Sequence, residues 1–271
     1  MSFSASEASL SLSNEIKILT KIEQNSILLD LIVLSCNGID TTKKFLDHIS
    51  KNRPKENIRI IWIDNGSKDG SYEYLSNFFK NTNFDYILIS SPTNLGIING
   101  RNLGYEISKK YHKTSQAKYI MFLDNDQYVF PGWLTSHLSV INNGYDLIGV
   151  EAWKINKSMM PERIGDISQS FSYVSCCAML IKIEVVNKLG LFDRMYNPAY
   201  FEDPDICFRY NKAGYKIGWN YKSKILHVPH STLKLNKDSK KTFMESFLKF
   251  KTKWSFNDVP ILIQKELKEL G

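Results

Sequence analysis

The chain has 271 residues, 43% of them hydrophobic and 13% aromatic, which is enough apolar material for one large core or two modest ones and excludes a disordered chain. Its formal charge of +7 suits nucleic acid, an anionic membrane surface or a phosphate-bearing small substrate and does not choose among them. Cys36, Cys176, Cys177 and Cys207 form no Cys-x-x-Cys pair and no zinc-site spacing, so no disulfide framework or structural zinc is expected.

In chain order, the opening MSFSASEASLSLSNEIKILTKIEQN lacks the basic start and unbroken apolar run of a signal peptide, and residues 1–26 read as a polar extension. No later segment approaches about 18 consecutive apolar residues, which predicts a cytoplasmic protein without a transmembrane span. From residue 28 to about 125 strand and helix alternate. LLDLIVLSC precedes a helix from about Thr41, IRIIWIDN one from about Gly70, YILISS one from about Ile97, and YIMFLD closes the series. That rhythm predicts βαβ units and a parallel sheet, the first half of a doubly wound α/β domain. Beyond residue 145 the segments YDLIGVEAW, SCCAMLIK, EVVNKLG, ICFRYNKAG, YKIGWN and KILHVPH mix strands with fewer crossovers, which predicts a mixed sheet continuing the same domain. Between two of these strands, EAWKINKSMMPERIGDISQS reads as a mobile loop at the donor or acceptor.

Each early strand ends in polar or glycine-containing sequence, and in an open α/β sheet ligands bind outside the carboxyl ends of the strands. Four groups near such ends carry chemistry. In FLDND, Asp124 and Asp126 lean to one side if strand geometry persists, where they can hold a divalent cation or simply cap a turn. In YFEDPD, Glu202, Asp203 and Asp205 precede a helix; they can be first-turn acids, with Asp203 as cap and Pro204 at the first helical position, or supply a general base. In KILHVPHST, His227 closes an apolar run and His230 follows a proline, as structural residues or ligands. In NLGIINGRNLG, glycines permit close backbone approach, helix N-terminal amides favour anions, and Arg101 adds a fork of donors; a tightly packed helix start accounts for the same residues.

The order CNG, IDNGSKDGS, NLGIINGRNLG, FLDND, YFEDPD, HVPH resembles the inverting family 2 glycosyltransferases of the GT-A fold over roughly residues 28–232, and most closely the bacterial branch of rhamnosyl- and galactofuranosyltransferase-like enzymes. The resemblance implies a Rossmann-like sandwich with a mixed, mainly parallel sheet and helices on both faces. It implies one GT-A domain over 27–232, with a nucleotide-binding half to about 127 and an acceptor half from about 128. In that family Ser35, Asn37 and Asp64 would hold the base and ribose; Asn94, Gly96, Arg101 and Asn102 would shape the nucleotide-sugar pocket; and Asp124 would meet the ribose or the metal's water shell. Asp126 and His227 would bind Mn²⁺ or Mg²⁺, with His230 as the fallback, and Asp203 would be the catalytic base, supported by Glu202, Asp205 and Arg209. The donor would be a nucleoside-diphosphate sugar, UDP or dTDP ahead of GDP, and the acceptor a glycan, a lipid-linked glycan or a protein. Asn125 stands where many relatives carry a third Asp, leaving two carboxylates in that motif.

Residues 233–271 read as a basic helical tail. Phe243, Phe247, Phe250 and Trp254 recur at i, i+4, i+7 and i+11 beside seven lysines between Ser231 and Trp254. Such a helix packs on its own domain or meets an anionic membrane at its inner face. Two other readings are weaker. A sugar nucleotidyltransferase needs a glycine-rich basic loop after the first strand, where SCNGIDTTKKF stands, and a nucleic-acid module needs a binding motif that is absent. A non-catalytic scaffold is opposed by the full set of acids.

Overall fold

A computed structural model describes residues 16–23, 26–111, 117–228 and 237–264. In chain order the elements are β1 (Lys17–Lys21), β2 (Leu29–Ser35), α1 (Ile39–Lys51), β3 (Ile58–Asp64), α2 (Ser71–Lys80), β4 (Asp85–Ser90), α3 (Ile97–Lys110), β5 (Tyr119–Asp124), β6 (Gln127–Val129), α4 (Trp133–Ile141), β7 (Leu147–Gly149), β8 (Ala152–Ile155), β9 (Pro161–Arg163), β10 (Tyr173–Val174), β11 (Met179–Lys182), α5 (Ile183–Leu189), α6 (Glu202–Lys212), β12 (Ile217–Trp219), β13 (Ile225–His227) and α7 (Lys237–Lys253).

Eight strands form the central sheet in the order β1-β4-β3-β2-β5-β11-β7-β12. Neighbours from β4 to β5 are parallel, as are β7 and β12, while β1 and β11 run antiparallel to their partners. The continuous apolar runs of β2 and β3 follow from burial on both faces. Ile32, Leu34, Ile61 and Ile63 share a core with Ile98 and Leu103 of α3. Leu31, Val33, Ile60 and Trp62 meet Phe45 and Ile49 of α1 and Leu75 and Phe79 of α2 on the other face. The mixed α/β sandwich expected from the sequence is therefore the fold observed.

Two stretches differ from expectation. Lys17–Lys21, inside the segment read as a polar extension, pairs with β4 and extends the sheet by one antiparallel strand. The stretch read as a mobile loop instead supplies strands: β8 pairs with β9 and with β10 to form a three-stranded antiparallel sheet. α7 packs on the domain, with Phe250 and Trp254 buried. No helix among the described residues is long and apolar enough to cross a membrane.

Candidate active site

The acid pair at the end of β5 is separated by its own turn. Asn125 is buried and donates from Nδ2 to Thr42 Oγ1 at 3.0 Å, while Asp124 before it lines the crevice and Asp126 after it lies beside His227. The chain then enters β6, which pairs antiparallel with β13 so that Gln127 lies opposite His227, and the Val228 amide donates to the Asp126 carbonyl at 3.0 Å. Two short strands thus carry a histidine from a hundred residues away in sequence to the acid pair. His227 Nε2 stands 3.8 Å from Asp126 Oδ1, and Nδ1 stands 3.9 Å from Glu151 Oε1. The Glu151 carboxylate first, and those of Asp126 and Asp124 after it, raise the His227 pKa against the opposing effect of burial.

Arg101 reaches the same crevice from α3. Cβ atoms at Gly100 and Gly104 would lie 2.6 Å from Leu34 Cδ1 and 2.7 Å from Ile32 Cγ2, so the two glycines let α3 settle directly on β2. Arg101 Nη2 donates to both oxygens of Asp124 at 3.0 and 2.9 Å, and Nη1 lies 3.8 Å from Glu202 Oε1. Burial works against the guanidinium charge, but Asp124 and the other nearby anionic groups more than offset it and hold the pKa above its ordinary value. Gln127 donates to Asp124 Oδ2 at 3.2 Å and accepts from the Ala178 amide at 3.2 Å, fixing Asp124 from the far side.

The second acid pair opens α6. The helix begins at Glu202, after Phe201 in a left-handed conformation (φ 65), so Asp203 lies inside the first turn and is not the cap. Tyr200 before it is also left-handed, with φ 74. Two consecutive non-glycine residues at positive φ are costly and need outside support. Phe201 receives it from Phe243, Phe247 and Phe250 of α7, at ring-centroid distances of 5.2, 5.6 and 5.1 Å. Glu202 Oε2, Asp203 Oδ1 and Arg101 Nε are buried without a hydrogen-bond partner. Burial raises the pKa of both acids, and the neighbouring Glu202 adds to the rise at Asp203, which is pushed up to about 8.

These residues line a cavity of about 410 Å³, and its walls are aromatic. Trp153 of β8 stacks on Tyr173 of β10 with centroids 6.4 Å apart, and its indole N–H has no partner. Tyr200 and Phe243 line the same cavity.

Arg101, Asp124, Glu202, Asp203 and His227 thus come together around one space, with Asp126 beside His227. Others from the sequence reading sit elsewhere. Ser35 is buried and accepts from Trp62 Nε1 at 2.9 Å, so its hydroxyl serves the core. Asn102 exchanges hydrogen bonds with the Phe192 backbone at 2.9 and 3.3 Å and holds the α5 side of the domain. Asp205 is fully buried and takes Arg209 Nε at 2.8 Å, Trp254 Nε1 at 2.9 Å and Lys253 Nζ at 2.8 Å; with Arg209, which also reaches the Leu189 carbonyl, it anchors helices.

A separate group gathers at the ends of β2, β3 and β4. Asn37, left-handed at φ 59, accepts from the Lys68 amide at 2.8 Å, and Asn94 donates to Cys36 Sγ at 3.4 Å. Asp64 has Oδ1 buried without a partner, and burial raises its pKa. At the start of α3, Gly96 at φ +84 packs against Pro198, the Ile97 amide donates to the Pro198 carbonyl at 2.9 Å and the Asn99 amide to Asn197 Oδ1 at 3.2 Å. Two of the helix amides expected to favour an anion therefore already have protein acceptors. His230 lies outside the described residues.

Sequence reasoning missed Glu151. It accepts from Arg163 Nη2 at 3.1 Å and Ser175 Oγ at 3.4 Å, and its pKa is lowered, chiefly through His227. Glu151, Cys177 and His227 bring ligand atoms within 4.8 Å of one another. Burial, then Glu151, pushes the Cys177 thiol well above its ordinary pKa, so the group offers a carboxylate and an imidazole before it offers a thiolate.

Known proteins resemble the chain in sequence or in fold. An uncharacterized glycosyltransferase of Haemophilus influenzae is 36% identical over 78 residues, covering 29% of this chain and 28% of that protein. The glycosyltransferase AglE of Haloferax volcanii is 28% identical over 169 residues, 60% of this chain and 51% of AglE. The crystal structure of GalNAc-T7 with UDP, GalNAc and Mn²⁺ superposes with a TM-score of 0.69 at 15% identity, over 87% of this chain and 49% of that one. The chain thus matches about half the length of these proteins or less, and at such low identity the structural likeness speaks for the GT-A fold alone. Residues 30–171, more than half of the chain, match the family described as Glycosyl transferase family 2, and the chain belongs to that family.

Proposed function

We propose that the protein is a metal-dependent, inverting glycosyltransferase that moves a sugar from a nucleoside-diphosphate donor to an acceptor hydroxyl. The observation that carries this is the meeting of two acidic groups at one cavity: Asp124 and His227, with Asp126 beside the histidine, and Glu202 with Asp203, which Arg101 links to Asp124. Asp126 and His227 fit a hard divalent cation such as Mn²⁺ or Mg²⁺. A separation of 3.8 Å is too wide for a hydrogen bond, whereas two ligands each about 2.1 Å from one ion stand up to roughly 4 Å apart. Such a cation, when bound, neutralises the charge that develops on the departing diphosphate. The Glu151 carboxylate, 3.9 Å from Nδ1, attracts that edge of the ring by charge and leaves Nε2 facing Asp126.

Asp203 acts as the base. The acceptor hydroxyl gives its proton to the carboxylate while its oxygen bonds the anomeric carbon, and the electrons of the breaking sugar–oxygen bond leave with the diphosphate, inverting the centre in one displacement. A pKa near the operating pH is what such a base needs, and burial beside Glu202 supplies it. Asp124, held by Arg101 and Gln127, meets the ribose or the water shell of the ion. Asn37, Asp64 and Asn94 form the nucleoside end, and the partnerless carboxylate oxygen of Asp64 is an acceptor in want of a donor such as a base or ribose group. The half to about residue 127 holds the donor and the half from about 128 the acceptor. The motif order favours UDP or dTDP over GDP, the rhamnosyl- or galactofuranosyl-like branch, and a role in bacterial surface glycan assembly.

The test is thermal stability with UDP, dTDP, GDP and CMP, each with and without Mn²⁺, on the wild type and on Asp126→Ala. Stabilisation by one nucleoside diphosphate only with metal, lost in Asp126→Ala, is the expected result. No stabilisation by any of them removes the reading. NMR of the product's anomeric centre then checks inversion.

A further inference from the structure

α7 has two faces with opposite commitments. The aromatic face that the sequence offered to a membrane is spent inside the protein: Phe243, Phe247 and Phe250 pack on Phe201, and Trp254 meets Phe208 at 5.4 Å. Two lysines turn inward with it, Lys249 to the Met195 carbonyl at 2.6 Å and Lys253 to Asp193 and Asp205 at 2.7 and 2.8 Å.

The outward face is different. Met244 and Leu248, one turn apart, are 49% and 60% exposed, and Lys240, Lys241 and Lys251 stand exposed around them. At about 100° per residue all five fall within one third of the helix circumference. The acids Glu245 and Asp238 lie at one edge, and Glu245 is 3.9 Å from Lys241 with both side chains largely in water, a pairing of little strength. Lys240 has no ion pair among the described residues.

From this face we infer that α7 docks the protein on an anionic lipid surface. Lysines surrounding large unbranched or branched aliphatics give the two terms of interfacial binding, attraction to acidic headgroups and burial of apolar side chains at the acyl boundary. A second copy of the chain fits poorly, because a twofold contact would set the lysines of one face against those of the other. A nucleic acid would leave Met244 and Leu248 in water. The inference stands independently of the transferase reading, yet the two meet in α7: Phe243 lines the cavity, and Met244, the next residue and about 100° further round the helix, is exposed.

The experiment is co-sedimentation of the full chain with vesicles of phosphatidylcholine alone or with added phosphatidylglycerol, at low and high salt, with heparin binding measured in parallel. Binding to the phosphatidylglycerol vesicles only is expected, weakened by salt. Reversal of both Lys240 and Lys241 to Glu should cost tenfold or more, and Met244→Ser with Leu248→Ser should cost several-fold at unchanged charge. All four side chains are exposed, so the thermal midpoint and the stabilisation by nucleotide and Mn²⁺ should stay as in the wild type. Failure to bind acidic vesicles at low salt overturns the inference. So does vesicle binding that ignores the aliphatic pair and matches heparin binding, which would mark a polyanion or acidic-protein site instead.

Discussion

Two arginines of the sandwich, Arg59 and Arg101, are both buried among carboxylates, and they end in opposite states. Arg59 gives Nε and Nη2 to the two oxygens of Asp30 at 2.9 and 2.8 Å and Nη1 to the Tyr111 carbonyl at 3.3 Å, while Ser108 also donates to Asp30; both charged side chains are fully buried. Arg101 spends one nitrogen on Asp124 and leaves Nε without a partner, beside Glu202 and Asp203, each of which has one oxygen likewise unmatched. A saturated network fixes a fold, whereas an unsaturated one of the same residue types retains capacity for something not yet bound. On the proposed function, the difference separates structural from catalytic charge within one domain.

The sharpest way to break that comparison is Asp203→Asn. If the unmatched acid is the base, kcat should fall by about 10³-fold or more, some 4 kcal/mol of barrier, while nucleotide and metal binding persist. Stability should move the other way. A carboxyl whose folded pKa is raised from 3.8 to about 8 contributes most below pH 4 and loses that contribution as pH rises toward 8. At pH 7 the buried carboxyl is held largely protonated, at the cost of taking up a proton that the unfolded chain does not bind; the neutral Asn avoids that cost, and unfolding should become harder by about 1 kcal/mol, a modest figure because the amide must still be buried beside Arg101. Steady-state kinetics and thermal unfolding of the same sample read both; a variant that is inactive and less stable would point to a structural acid.

Arg59→Met should do the reverse, costing about 3–5 kcal/mol of stability by stranding Asp30 under the sheet, with the kinetics of the surviving folded fraction unchanged. Adding Asp30→Leu should recover most of that loss, since two apolar groups leave no buried charge. Denaturant unfolding of both variants measures it.

Which of these charges could be read from the sequence follows the same division. The strand ends, Asp124 and Asp126, the Glu202–Asp203 pair and His227 stood out because polar residues punctuate apolar runs where chain direction brings them to one crevice. Asp30 and Arg59 lie inside such runs, in LLDLIVLSC and IRIIWIDN, and only the pairing of β2 with β3 shows that they answer each other. Glu151 was hidden for a related reason: it follows a strand that enters the sheet through antiparallel β11, so the parallel-sheet rule did not flag its end. The protein partners of Ser35 and Asn102, Trp62 and the Phe192 backbone, could not be foreseen, because a strand-end or helix position gives proximity without side-chain direction. The stretch after Glu151 looked like a loop because its strands are only two to four residues long and pair with one another, not with the main sheet.

Glu151→Gln tests the residue the sequence concealed. The amide keeps its size and its contacts to Arg163 and Ser175 but no longer holds the His227 ring by charge. Affinity for Mn²⁺, read from nucleotide-dependent stabilisation, should weaken by about 10–100-fold, less than for His227→Ala. Equal losses in both would make Glu151 a direct ligand.

The smallest expected effect separates the two acids of α6 from each other. With Asp203 as base, kcat/KM should rise with pH as its carboxylate forms and level off above about pH 8. Glu202 contributes to that position by its charge, and it stands on the Arg101 side of the pair. Glu202→Gln removes the repulsion but leaves the burial that dominates the shift, so the rising limb should move to lower pH by up to about one pH unit with its plateau within a few-fold of wild type. A limb that stays in place would mean that burial alone sets the base. A collapsed plateau would exchange the roles and make Glu202 the proton acceptor. The contrast with Arg59 then holds at the level of single oxygens, because the charge that tunes the reaction and the charge that performs it would be adjacent residues on one helical turn.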